Sequence, residues 1–314
     1  MREVTASGPQ DTQDRGQPGG QPHGLSANPS LLAAGAAGFT AAFAVLWAVR
    51  GLPGGTLLFW AAPLPLFAAG LAFRPLAAAV AGLLAAALLG VTAGIAPALV
   101  FLVLFGVPAA LLLGSWRHGS LGLALAMLGL WPLVVLLAAA LFLADDGGLD
   151  AVMRAAVEAV LLRLDMPASE ALVTTLVRLK AGAIGFWVAI ALLGNATAAA
   201  RLLERRGLLA VPAPAWSRVR LPGWYPLLPP VAALAYLAMP EDAVPLSALL
   251  LLLVPLFFQG VAGVHRRLEG RQARPALLAA FYMLLVMFLQ VMGPGLIGLA
   301  LYDQFRRRAA PRNS

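Results

Sequence analysis

The fold is decided by residues 75–116, PLAAAVAGLLAAALLGVTAGIAPALVFLVLFGVPAALLLGSW, which carry no charge. These 42 residues are long enough for two membrane-spanning helices, since one such helix needs about 20 apolar residues. The sequence around Gly94 and Pro97, near the middle, predicts a turn. The stretch therefore predicts two helices that cross a lipid bilayer in succession.

Uncharged, apolar runs also lie on both sides of this stretch. They cover residues 31–49, 52–73, 121–144, 181–200, 225–239, 243–264 and 276–302. The run at 181–200 has an alternative start near Ala171, and the run at 225–239 is short and contains prolines. A break at Pro294 would divide the last run into two short passes. The sequence thus predicts an all-α, polytopic transmembrane helix bundle of about nine spans, with a range of eight to ten.

The composition agrees with a membrane protein and excludes several other classes. The chain is 61% hydrophobic and 11% charged, whereas about a quarter of the residues of a soluble domain are charged. Its net charge of +8 comes from short basic clusters between apolar runs, a pattern typical of membrane loops rather than of a nucleic-acid surface. Because there is no cysteine, disulfides and thiolate metal sites are excluded.

Three regions follow from this pattern. Residues 1–30 are polar and rich in Gly, Pro and Gln, which predicts a disordered tail. Residues 31–308 form a single transmembrane domain, and residues 309–314 form a C-terminal tail. Arginines in the loops at 201–224 and 265–275 place those loops in the cytoplasm, and the N-terminus with them. The predicted location is the bacterial inner membrane.

Within the domain, the segment 149–164 differs from the spans. Its apolar residues recur at helical spacing: Leu149, Val152, Met153, Ala156, Val157, Val160, Leu161 and Leu164. Asp150, Arg154 and Glu158 lie on the other face. The pattern predicts an amphipathic helix that lies on the membrane surface or caps the bundle.

No chemistry of an enzyme is visible in the sequence. Asp145, Asp146 and Asp150 have the composition of a metal-diphosphate site, but Gly147 and Gly148 place them at a helix start, where acids favour the helix dipole. The three histidines lack metal-ligand spacing, and no Gly-x-Ser-x-Gly sequence is present. We therefore expect no enzyme activity, no catalytic residue, no metal site and no cofactor.

Two sets of residues are candidates for binding. Asn195, Gln259 and Gln290 are uncharged polar residues within predicted spans, and they either line a cavity for a neutral or zwitterionic ligand or bond across helices. Ala33, Ala37 and Ala41 are small residues at four-residue spacing in the first span. They either pack the bundle or dock a partner subunit.

Several motifs in the last third resemble a known family. They are the prolines at 222–229 around Trp224, Phe257-Phe258-Gln259-Gly260, His265-Arg266, Arg274-Pro275 leading to Tyr282, and the ending with Leu301, Asp303 and Phe305. From about residue 30 to 308 the chain resembles the uncharacterised YybS-like family of bacterial multi-pass membrane proteins. That family is distantly similar to the substrate-capture subunits of energy-coupling-factor transporters, which bind a micronutrient in a helical cavity. The resemblance implies that Ala33, Ala37 and Ala41 form a docking stripe for a partner subunit.

Two hypotheses of function remain. The first is a permease or substrate-binding membrane component for a small solute, which depends on a partner membrane subunit for energy because no phosphate-binding loop is present. The second is a non-transporting scaffold, assembly factor or sensor. A cavity with convergent polar groups would favour the first, and a closely packed bundle with alanine-lined contacts would favour the second.

Overall fold

The computed structural model describes residues 28–118, 120–146, 148–167, 169–209 and 213–306. The predicted tails at 1–30 and 309–314 therefore lie outside the described residues, except that Asn28 caps the first helix and Pro29 begins it. The helices are α1 Pro29–Val49, α2 Gly55–Ala61, α3 Pro63–Ala72, α4 Pro75–Ala93, α5 Ile95–Phe101, α6 Val107–Arg117, α7 Leu121–Phe142, α8 Gly148–Arg163, α9 Glu170–Arg205, α10 Leu228–Ala238, α11 Ala243–Arg267, α12 Arg274–Met287 and α13 Leu289–Arg306. The described part of the chain contains no β-strand.

Seven helices in the described ranges are long and apolar enough to cross a membrane. They are α1, the pair α2–α3, α4, the continuous helix from α5 through a π-turn to α6, α7, α9 and α11. The bent pair α12–α13 is also long and apolar enough to cross a membrane when its two helices are taken as one unit. These helices confirm an all-α, multi-pass membrane protein, whereas the predicted number of nine spans is not confirmed.

Residues 75–116 fold into two successive helices, as their sequence predicts. α4 ends at Ala93, and the chain turns at Gly94, whose φ of +95° is readily adopted only by glycine. Pro97 is the third residue of α5, where its missing N–H costs no helical hydrogen bond. The helix that contains the run at 181–200 also starts earlier than 181, because Ser169 caps α9 and Glu170 begins it.

The segment predicted as an amphipathic helix forms the helix α8. Its residues Leu149, Val157 and Leu161 are buried, and the last two pack in a small cluster with Val173 and Val177 of α9. α8 thus lies against the beginning of α9, where Arg154 forms an ion pair with Glu170 at 3.0 Å.

Two contacts show that α9 and α11 run in the same direction. The Ser247 hydroxyl bonds the Arg178 carbonyl at 3.4 Å near the start of both helices. Further along, the rings of Phe186 and Phe257 lie 5.2 Å apart. The chain between these helices must therefore return along the whole height of the bundle.

The return path is irregular in its first half, with single 3₁₀ turns at Trp216–Arg218 and Tyr225–Leu227, and helical in its second. It runs along α11 toward the start of that helix, since the Leu221 N–H bonds Gln259 and the Tyr225 hydroxyl bonds the Leu252 carbonyl. α10 completes the path with the 11 residues Leu228–Ala238. The run at 225–239, predicted as a span, is thus too short to cross by itself because its prolines delay the helix.

The last predicted run contains a sharp bend at Phe288, where α12 and α13 are bent by 119°. The predicted break at Pro294 is wrong, since Pro294 lies inside α13. Its missing N–H removes only the bond to the carbonyl of Gln290, an exposed residue at the start of the helix. Phe288 instead leaves the helical conformation, with φ −126° and ψ 38°.

The start of α12 and the end of α13 lie at the same end of the bundle. α13 follows α11 in the same direction, since Gln259 bonds the carbonyl of Ala300 and Arg266 bonds Asp303 at 2.6 Å. The same end, which we call the basic end, contains Trp116, whose ring is 6.0 Å from that of Trp216. The C-terminal ends of α3, α6, α9, α11 and α13 also lie at the basic end.

We predict that residues 271 and 306 are accessible from one side of the membrane and residue 241 from the other, because α12 and α13 return to the basic end. The chain has no cysteine, so Arg271→Cys, Arg306→Cys and Glu241→Cys each introduce a single thiol. Labelling with a membrane-impermeant maleimide in oriented vesicles should give equal accessibility for the first two. Labelling of positions 271 and 306 from opposite sides would contradict this topology.

Candidate functional site

Gln259 is the most thoroughly bonded of the predicted site residues. It is 5% exposed, its Oε1 accepts the Leu221 N–H at 2.7 Å, and its Nε2 donates to the Ala300 carbonyl at 3.1 Å. Gln304 completes the arrangement, because its Nε2 donates to the Leu221 carbonyl at 3.0 Å. Both backbone polar groups of Leu221, its N–H and its C=O, are therefore held by glutamine side chains.

This arrangement has a clear physical purpose. Backbone that is not helical is tolerated at membrane depth only where protein groups replace the missing hydrogen bonds. This irregular segment also lies close to α7, where a Cβ at Gly122 would collide with the carbonyl of Arg220. We define the glutamine clip as Gln259 and Gln304 with the backbone of Leu221 between them.

The other two predicted ligand residues lie elsewhere. The half-buried Asn195 donates through Nδ2 to the carbonyls of Trp60 at 2.8 Å and Ala191 at 2.7 Å, and it thereby links α9 to the junction of α2 and α3. Gln290 is exposed at the bend between α12 and α13. The structure does not bring the three amides together, and their role in ligand binding stays a prediction.

The alanine stripe of α1 lies largely inside the chain. Ala37 and Ala41 are buried, and Ala33 is partly exposed. α1 packs on α4, with Gly38 beside Ala81. Docking of a partner through these alanines stays a prediction, and in this conformation the chain's own helices cover two of the three.

A large cavity lies between α9, α11, α12 and the loop at 213–219. Its volume is about 1000 Å³, at the upper end of the range of about 300–1,000 Å³ for small-molecule sites. Much of its wall is apolar: Phe186, Trp187, Ile190, Leu193, Phe257, Phe258, Val261, Leu285, Val286 and Leu289. None of Asn195, Gln259 and Gln290 lines it.

Polar groups line the cavity on its side toward the basic end: Arg201, Glu204, Trp216, Ser217, His265, Arg274 and Tyr282. A ring nitrogen of His265 lies 2.8 Å from the Tyr282 hydroxyl, which links α11 to α12. Ser217 donates to Glu269 at 2.6 Å, and this hydrogen bond lowers the pKa of the Glu269 carboxyl below its ordinary value. The cavity is thus apolar on one side and charged on the other.

Two donors in this charged region lack a partner. The indole Nε1 of Trp216 and the Nε of Arg274 are buried without a hydrogen bond within the described ranges. Buried polar atoms nearly always have a partner, so two such donors in one cavity require an explanation. The third such atom, Nε of Arg178, belongs to a side chain that already bonds Tyr236 and the Pro240 carbonyl far from this cavity.

The arginines at the basic end are not equivalent. Arg266 and Arg267 form ion pairs with Asp303 at 2.6 and 2.7 Å. Arg201 and Arg274, which line the cavity, form no ion pair with a carboxylate of the described residues. Two cations of the cavity wall therefore remain available to an acidic ligand.

A second, smaller cavity is almost wholly apolar. It has a volume of about 160 Å³ and lies between α7, α8, α9 and the π-turn Leu102–Gly106. The π-turn is anchored by Trp131, whose indole donates to the Val103 carbonyl at 2.8 Å. This cavity offers no polar group that would orient a ligand.

Comparisons of the chain with models of known families, with curated proteins and with solved structures find no match. Trp216, Arg274 and Gln304 were not predicted as site residues, because a loop tryptophan, a loop arginine and a glutamine near the end of the last run are ordinary features of membrane proteins. Only their positions in space distinguish them.

We predict that Gln259→Leu destabilises the protein, because it leaves the buried N–H of Leu221 without an acceptor. An unpaired buried donor costs about 1–3 kcal/mol, so the melting temperature of the detergent-purified protein should fall by several degrees. Gln290→Leu is the matched control, since Gln290 is exposed, and it should leave melting unchanged. Equal melting of the two variants would refute the proposed role of the glutamine clip.

Proposed function

We propose that this membrane protein is a permease or substrate-binding component that holds a small molecule in the cavity between α9, α11 and α12. The observation that supports the proposal is the cavity itself, with its volume of about 1000 Å³ and its polar groups on one side. Sites for small molecules combine an apolar wall with a few polar groups in this way.

The position of the cavity gives a ligand access from the bilayer. Trp187 and Ile190 of α9 line it and are 57% and 36% exposed, so its wall reaches the outer surface of the bundle. On the other side, Leu285 is the one buried residue of α12. A molecule that moves within the membrane can therefore enter between α9 and α12.

The proposed orientation has the basic end in the cytoplasm. Most arginines of the described residues lie there, among them Arg117, Arg206 and Arg271, whereas Glu170 and Glu241 lie at the opposite end. Loops rich in arginine remain on the cytoplasmic side during insertion. Because α1 also begins at the basic end, this orientation puts the N-terminus in the cytoplasm. The bacterial inner membrane and membership of the YybS-like family are proposed from the sequence.

One observation favours the scaffold hypothesis. The α1–α4 half of the bundle is closely packed through small residues, including Ala34, Ala41, Ala78 and Ala81, which are fully buried. Small residues of this kind are typical of helix contacts in membranes generally. They explain how this half packs, but they do not explain a large cavity in the other half, so we favour substrate binding.

We predict that Gly194→Phe removes binding of the substrate, because Gly194 lines the cavity and a side chain there meets no atom within 4 Å. The added ring should occupy the ligand's space without disturbing the fold. Thermal-shift screening of the purified protein against vitamins, nucleobases, amino acids and lipids should identify a stabilising compound, since a ligand of the folded state raises the melting temperature.

The control is Gly35→Phe, in which the new side chain also begins in open space but lies on α1. This variant should retain the stabilisation, and Gly194→Phe should lose at least about 10-fold in affinity. If no compound stabilises the wild type, or if both variants respond like the wild type, the cavity is not a substrate site.

A further inference from the structure

We infer that the ligand of the cavity is an amphiphile with an acidic headgroup, a carboxylate or a phosphate. The headgroup binds at Trp216 and Arg274, and the apolar chain lies between α9, α11 and α12. The inference rests on the proposed function, because it assigns a class of ligand to the same cavity.

The headgroup follows from the donors that lack partners. Trp216 and Arg274 line the cavity on different elements of the chain, and the indole Nε1 and the guanidinium Nε are buried without a partner in the described ranges. An acidic group has several acceptor oxygens and binds charged donors about twice as strongly as a neutral acceptor does. An acidic group at the polar side of the cavity therefore lies beside the guanidinium charge of Arg274 and the ring of Trp216, both of which line the wall.

The charge balance of the wall also favours an acid. Arg201 and Arg274 line the cavity with one carboxylate, Glu204, which is exposed. The nearby Glu269 accepts from Ser217 and interacts electrostatically with Arg218, Arg274 and Arg266, and Asp303 is paired with Arg266 and Arg267. The arginines around the cavity thus still outnumber the carboxylates, and a bound anion neutralises the excess.

The rest of the cavity wall indicates that the ligand also has an apolar hydrocarbon chain. Away from the arginines, the surface consists of aromatic and aliphatic side chains, among them Phe186, Phe257 and Leu285. Burying apolar area is favourable by about 25 cal/mol per Å², so a hydrocarbon chain gains most from this surface. A small hydrophilic acid would bind the donors and leave this surface uncovered.

Oleate tests the inference on the full chain in nanodiscs of phosphatidylcholine. Oleyl alcohol has the same chain without the charge, and acetate has the charge without the chain. Oleate should bind at least about 10-fold more tightly than either, which corresponds to one charge-assisted hydrogen bond. Oleyl phosphate should behave like oleate. Equal binding of oleate and oleyl alcohol would overturn the inference.

Two variants locate the headgroup. Trp216→Phe retains the ring and removes the donor, and Arg274→Gln removes the cation; each should weaken oleate about 10-fold and leave oleyl alcohol unchanged. Their controls are Trp224→Phe and Arg271→Gln, at exposed positions of the same loops that do not line the cavity. If the variants and controls bind oleate equally, the headgroup does not bind at Trp216 and Arg274.

A second experiment distinguishes a bilayer lipid from a free acid as the source of the acidic headgroup. Nanodiscs with phosphatidylglycerol are compared by native mass spectrometry with nanodiscs of phosphatidylcholine alone. Retention of phosphatidylglycerol that competes with oleate identifies a bilayer lipid as the ligand, whereas oleate binding without such competition identifies a free acid. If neither acid binds but a neutral compound binds the wild type and not Gly194→Phe, the inference fails and the proposed function stands. If Gly194→Phe weakens the binding of no compound, both fail.

Discussion

The architecture of the C-terminal half depends on how the backbone of one residue is bonded inside the bundle. Leu221 is buried in the irregular segment between α9 and α10, and the glutamine clip bonds both its N–H and its C=O. A backbone group without a partner in hydrocarbon costs several kcal/mol. The clip therefore stabilises the irregular path by which the chain returns from α9 toward the beginning of α11.

The irregular crossing also supplies part of the cavity wall. It lies close against α7, where Gly122 meets the carbonyl of Arg220. The residues that precede Leu221 lie at the basic end, where Trp216 and Ser217 line the cavity. The clip thus holds the segment whose beginning forms one side of the cavity.

Hydropathy predicts the elements of this protein well, because span length, turn residues and helical periodicity are local properties. The turn at Gly94, the helix α8 and the early start of α9 all follow from neighbouring residues. The position of the last break does not: Pro294 is the strongest local signal, but the chain bends at Phe288. Gln259 is recognised from sequence as an intramembrane amide, yet its bonding partners are 38 and 41 residues away along the chain. No local pattern contains that information, and the same is true of the donors Trp216 and Arg274.

The two helices of the bent pair, α12 and α13, are attached to the rest of the bundle by different numbers of interactions. α13 is attached to α11 by the ion pairs of Asp303 with Arg266 and Arg267 and by the glutamine clip. α12 has one buried residue, Leu285, and the hydrogen bond between Tyr282 and His265. Regions with few buried contacts open at the lowest free-energy cost. Of the two walls, α12 is thus attached to the rest of the described bundle by fewer contacts than α11 with α13. Since Arg274 belongs to α12, a ligand that bonds Arg274 and another residue of the wall adds a contact between α12 and the bundle.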